Sequence, residues 1–67
     1  MKAISGKQMC RILKRHGWTH VRTRSSHFTF EKSGSGSITV PVHGNRTLKT
    51  GIQHAIMKQA GLTKGDL

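Results

Sequence analysis

The chain has 67 residues, a net charge of +10 from twelve Lys and Arg against two acidic residues, and only 33% apolar side chains. A chain this short buries only about 60% of the surface it exposes when unfolded, which leaves room for one thin domain and none for a deep substrate cavity. The single cysteine excludes a disulfide framework and a thiolate metal cluster, and no apolar run reaches the length of a signal-peptide core or a membrane span. The expectation is one cytoplasmic domain over residues 1–67 with no membrane partner.

The cations are spread along the whole chain, whereas the carboxylates are Glu31 and Asp66 alone. Self-repulsion destabilises such a monomer, and a densely negative partner relieves it. A polyphosphate backbone is the commonest such partner, RNA above all here; an acidic protein offers the same relief.

The first predicted element is a helix. Ser5 stands at an N-cap position with Gln8 three residues on, a capping box, and Ile4 and Met9 flank it as a hydrophobic staple. Met9, Ile12 and Leu13, with Cys10 beside them, make one apolar face; Lys7, Arg11, Lys14 and Arg15 take the others. The helix runs to about His16, where Gly17 ends it.

From Trp18 the period changes to two. Residues 18–24, 27–32 and 37–42 are runs rich in β-branched and aromatic side chains, broken by a tight turn at Arg24-Ser25-Ser26 and a flexible one at Ser33-Gly34-Ser35-Gly36. They read as a three-stranded antiparallel meander. Phe28 and Phe30 share a face, which puts His27, Thr29 and Glu31 on the other; Ile38, Val40 and Val42 likewise align, and Pro41 favours an edge or a strand end.

A loop, residues 43–49, leads to a second helix. Thr50 followed by Gln53 repeats the cap pattern, Ile52, Ala55, Ile56 and Ala60 form the expected buried stripe, and Gly61-Leu62 resembles a helix stop with its hydrophobic contact. The fold class is therefore α+β, in the order αβββα, with two helices on one face of a three-stranded antiparallel sheet.

Two carboxylates far apart in the chain do not make a two-metal nuclease site, and Cys10, His16 and His20 lack metal-ligand spacing, so no metal or other cofactor is expected. RNA offers another route. Its 2′-OH attacks the adjacent phosphate when a base removes the proton and cations stabilise the charge on the phosphoryl oxygens. Histidine suits this task because its ordinary pKa of about 6.5 lies close to neutrality.

Among the five histidines, His27 has the best position: it follows the charged turn Arg22-Thr23-Arg24-Ser25-Ser26, opens a strand, and lies opposite the Phe28 and Phe30 stripe. The others have plainer readings. His16 is a solvated helix-end residue, His54 a surface residue of the second helix, and His20 a polar strand position. His43 follows Val40-Pro41-Val42 at the start of the loop, where it either caps backbone groups or assists the site.

The residues also match a family. The chain resembles the HicA toxins, also called YcfA-like, small messenger-RNA-cleaving partners in bacterial toxin–antitoxin pairs. The resemblance rests on Ser5-Gly6-Lys7, Leu13-Lys14-Arg15-His16-Gly17-Trp18, Arg22-Thr23-Arg24-Ser25-Ser26-His27, Val40-Pro41-Val42-His43-Gly44-Asn45, Leu48-Lys49-Thr50-Gly51 and Ile56-Met57-Lys58-Gln59-Ala60-Gly61-Leu62, in that order and spacing. It implies a fold like the double-stranded RNA-binding domain and a metal-independent endoribonuclease that acts on mRNA. It also implies a HicB-type antitoxin as the protein partner. The family's active histidine lies in a Gly-Ser-His segment, of which Ser26 and His27 match the last two positions, so the catalytic role passes to His27. The sequence departs at Ser25, where Gly is common, and at Phe28, where a second histidine is frequent.

On this reading His27 is the general acid or base, and Lys7, Arg22, Arg24, Ser26 and Lys49 contact RNA. His43, His20 and a lysine stay open as a second catalytic group. Two other readings compete: a non-catalytic RNA-binding module in which Lys7, Arg11, Arg22, Arg24 and Lys49 only track phosphates, and a subunit whose charge serves an acidic protein alone.

Overall fold

The computed structural model describes residues 2–67, in the order α1 (Gly6–Arg15), β1 (Thr19–Arg24), β2 (His27–Lys32), β3 (Gly36–Pro41), α2 (Thr50–Ala60) and a 3₁₀ turn (Lys64–Asp66). The three strands form one antiparallel sheet in the order β1-β2-β3. Phe30, Ile38 and Val40 on one sheet face pack with Met9, Ile12 and Leu13 of α1 and Ile56 and Met57 of α2 in a single apolar cluster, so both helices cover the same face. The expected α+β, αβββα architecture is the observed one. Among the described residues no helix is long and apolar enough to cross a membrane.

α1 forms for the local reasons its sequence shows. The amide of Gln8 donates to Ser5 Oγ at 3.1 Å and the amide of Ser5 to Gln8 Oε1 at 2.9 Å, which satisfies two donors that would otherwise be orphaned. At the other end Gly17 takes φ +91°, and Lys32 reaches from the end of β2 to donate to the carbonyl of His16 at 2.9 Å. A cation at a helix C-terminus meets both the free carbonyl and the negative end of the dipole. A side chain at Gly6 would strike the Pro41 carbonyl and come within 3.1 Å of the Val42 Cα, so glycine there lets α1 start directly against the end of β3.

The first and third strands differ slightly from expectation: β1 starts at Thr19, because Trp18 is a buried residue of the helix-to-strand connection, and β3 spans Gly36–Pro41. Pro41 ends an edge strand, where its missing N–H costs no ladder bond. The larger departure is in α2. Its N-cap is Lys49, with no side-chain cap bond, and Thr50 is already helical. Gln53 is not a capping partner: it is 1% exposed, accepts from the amide of Ile4 at 3.1 Å and donates to the carbonyl of Lys2 at 2.6 Å.

That role rotates the helix. The buried positions of α2 are Gln53, Ile56 and Met57, with Ala60 half-buried, while Ile52 and Ala55 are exposed. The C-terminal stop forms as expected: Gly61 is left-handed at φ +70°, the amide of Leu62 donates to Met57 at 2.8 Å, and Leu62 is buried.

Candidate functional site

The sheet face away from the helices is uncovered, and its chemistry depends on an irregularity in β1. In the β1–β2 pairing His20 stands opposite Phe30 and Arg22 opposite Thr29, with Val21 as the extra residue between them. Simple alternation would keep His20, Arg22 and Arg24 on one face. The bulge divides them: His20 lies on the helix-covered side with Phe30, whereas Arg22 and Arg24 emerge beside Thr29 and His27 on the open side.

Two rungs result. Arg24, His27 and Pro41 form the outer one, and Arg22, Thr29 and Thr39 the inner one, with the two threonine hydroxyls 3.4 Å apart. The connecting turn is tight, and Ser25 occupies it at φ +56°, a left-handed conformation in which a non-glycine side chain is strained. A two-residue hairpin twisted like its strands requires a positive φ at this first position.

A groove of about 420 Å³ runs over these rungs, lined by Arg22, Arg24, His27, Thr29 and Thr39. A second, of about 510 Å³, lies along the β3 edge and is lined by His27, Thr39, Pro41, His43, Arg46, Thr47, Leu48, Lys49 and Ile52. His27 and Thr39 belong to both, so the exposed imidazole of His27 stands where the grooves join.

The loop that supplies His43, Arg46 and Lys49 is pinned from a distance. Leu48 donates its amide to the carbonyl of Ile4 at 2.8 Å, Thr47 forms a bridge with Ser5, and Gln53 holds the other side of the same N-terminal segment. Nearer the sheet, the amide of Val42 donates to Ser26. The loop therefore returns to the sheet edge.

Of the residues expected to bind RNA, Arg22, Arg24 and Lys49 line the two grooves with His27. Ser26 lies in the turn, half-buried, with its carbonyl engaged by Val42. Lys7 lines neither groove, although it follows Gly6, which abuts Pro41 and Val42. Arg46 went unnoticed in the sequence. No local pattern marks it, since its place depends on the long-range pinning of the loop.

The grooves carry four strong cations, Arg22, Arg24, Arg46 and Lys49, and no lining carboxylate. The one ion pair found among the described residues is elsewhere, His16 with Asp66 at 3.3 Å. Unpaired cations around a concavity make it a region of positive potential, which favours an anionic ligand. His20 is removed from this setting: it stacks on Phe28, with centroids 5.3 Å apart, and shares a 2.7 Å hydrogen bond with Thr23. Cys10 faces the core; burial pushes its thiol pKa up, only partly countered by the Lys14 charge, and this favours the unreactive protonated form.

No curated protein matches the chain significantly. The family profile described as HicA toxin of bacterial toxin–antitoxin systems matches residues 6–62, the whole span from the start of α1 to the stop after α2. The chain belongs to the HicA toxin family, and is thus the toxin member of a toxin–antitoxin pair.

Proposed function

We propose that this toxin is a metal-independent endoribonuclease that cleaves messenger RNA, with His27 as the general acid or base. The observation that carries the reading is the position of His27, at the junction of two acid-free grooves lined by Arg22, Arg24, Arg46 and Lys49. Arg22 and Arg24 hold the phosphate and stabilise the charge that develops on its oxygens, which is where fixed cations lower a phosphoryl-transfer barrier most. Ser26 sets the turn before His27. Lys7 adds an outlying phosphate contact.

The proposal covers residues 1–67 as one RNA-cleaving domain, like the double-stranded RNA-binding domain in its element order and acting in the cytoplasm. The antitoxin that the family implies is of the HicB type. Acidic complementarity would let it associate quickly with the same cationic face and exclude RNA from it.

The test is incubation of the purified wild type and of His27→Ala with a defined RNA in EDTA. Cleavage by the wild type and none by the variant, with an unchanged melting temperature, is the expected outcome. Equal cleavage by both removes His27 from the mechanism. RNA bound in a salt-dependent manner yet intact after long incubation with the wild type favours a non-catalytic module instead.

A further inference from the structure

The fold sorts the five histidines into different surroundings. His16 pairs with Asp66 beyond the end of α1, and His20 stacks on Phe28 on the covered side of the sheet. His54 lines a separate cleft with Met57, Lys58 and Leu62. Among the described residues, His43 lines a groove together with His27.

Backbone contacts hold this pair in place. His27 is the cross-strand partner of Pro41, and the amide of Val42 donates to the carbonyl of Ser26 at 2.7 Å, so the residues just before the two histidines are bonded to each other. His43, two residues beyond Pro41, opens the loop that follows this bond and lines the same groove as His27. Both histidines are exposed on the wall of that one groove, which is open to a phosphodiester backbone. The His43 carbonyl accepts from the Arg46 amide at 3.1 Å, and this turn brings a cation to the same groove.

We infer that His43 is the second catalytic residue of the RNA-cleaving reaction, carrying the proton-transfer role that His27 does not. The inference rests on the ribonuclease reading and deepens it. One imidazole removes the proton of the 2′-OH; the 2′ oxygen attacks phosphorus and the P–O5′ bond breaks; the other ring, protonated, gives its proton to the departing O5′. The products are a 2′,3′-cyclic phosphate and a 5′-OH end, and no co-reactant is consumed.

The experiment compares wild type, His27→Ala, His43→Ala and His43→Gln in single-turnover cleavage of one defined RNA across pH, and of the same RNA with sulfur in place of the bridging 5′ oxygen. Sulfur leaves without a proton, so it restores only the variant that lacks the general acid. The expected results are a bell-shaped wild-type profile, a loss of about 100-fold or more on oxygen substrate for both His43 variants with one limb of the profile missing, and sulfur rescue at one position, 27 or 43. His43 variants within about threefold of wild type, or slow with both limbs intact and no rescue at either position, overturn the inference. His43 is exposed, so its replacement leaves the fold in place, and an unchanged melting temperature confirms that. Failure of the wild type to cut RNA sinks the ribonuclease reading itself, and the inference with it. Loss of cutting in His27→Ala alone keeps that reading and overturns only the role of His43.

Discussion

The backbone amide of Val42 meets the carbonyl of Ser26 at 2.7 Å, one residue past the last rung of the β2–β3 ladder. This bond ties the hairpin turn before His27 to the segment that leads into the loop at His43. The His27–Pro41 pair is one whose backbone groups point away from each other, so proline is tolerated there and the bond falls to Val42 in the ordinary antiparallel alternation. The groove along the β3 edge lies where strand and loop are joined, with His27 and His43 both on its wall.

Arg22 and Arg24 are exposed and serve no apolar contact of the core, so replacing them tests binding without confounding the fold. Arg22→Ala and Arg24→Ala should each weaken RNA binding and lower the slope of log affinity against log salt by about 1, with stability within about 0.5 kcal/mol of wild type. Fluorescence anisotropy over a salt series measures this. An unchanged slope would show that neither residue touches phosphate.

Ser25 holds φ +56° without being glycine. A left-handed conformation costs an L-residue about 1–2 kcal/mol, and glycine's greater freedom in the unfolded chain returns roughly half of the gain. Ser25→Gly should therefore stabilise the protein by roughly 0.5–1 kcal/mol and leave RNA cleavage at or above the wild-type rate. Thermal melting and a cleavage assay check the two halves separately. A destabilised Ser25→Gly would mean that the serine side chain contributes more to the turn than its strain costs.

Gln53 is buried among apolar residues, and its amide group bonds both Ile4 and Lys2. Gln53→Leu keeps the volume and leaves the buried Ile4 amide without a partner, a loss of about 1–3 kcal/mol by urea unfolding. The same change loosens the segment to which Leu48 bonds, so amide exchange of Leu48 should quicken with it. Wild-type stability in this variant would contradict the anchoring role.

Asp66 has its carboxyl pKa held below the usual carboxylate range, chiefly by the hydrogen bond from the Thr63 amide, which outweighs the opposing effect of desolvation; the Thr63 hydroxyl and the charges of His16 and Arg15 add to the lowering. A depressed folded-state value gives a stabilisation that is complete above the unfolded value, about 3.9, and is lost as pH falls through the lower folded one. The melting temperature should decline over that acid window, and Asp66→Asn should decline less steeply there. Parallel curves for the two proteins would show that the 3₁₀ turn adds nothing to acid stability.

Much of the fold is legible in local patterns because those patterns act over a few residues. The Ser5–Gln8 box, the Met9, Ile12 and Leu13 face, the Phe28 and Phe30 alternation and the Gly61-Leu62 stop each need only neighbours within one turn or one strand, and each appears as the residues indicate. The Thr50–Gln53 pattern shows where that reasoning ends. It has the same spacing as a cap, but an unpaired backbone amide at Ile4 competes for the glutamine and wins, and the helix turns to bury Met57 in place of Ile52.

For the site, the chain by itself determined that a basic α+β domain with His27 beside an arginine-bearing turn would present polyanion chemistry. It did not determine which face the arginines occupy or what else reaches the imidazole. The bulge at Val21, which puts Arg22 and Arg24 beside His27 and His20 behind them, is a property of the pairing register between two strands. The placement of His43 and Arg46 depends on Ile4, Ser5 and Ser26, residues distant in sequence that meet the loop only in the folded chain. Alternation and capping are short-range forces, whereas register and loop return are settled by long-range hydrogen bonds that form together with the core.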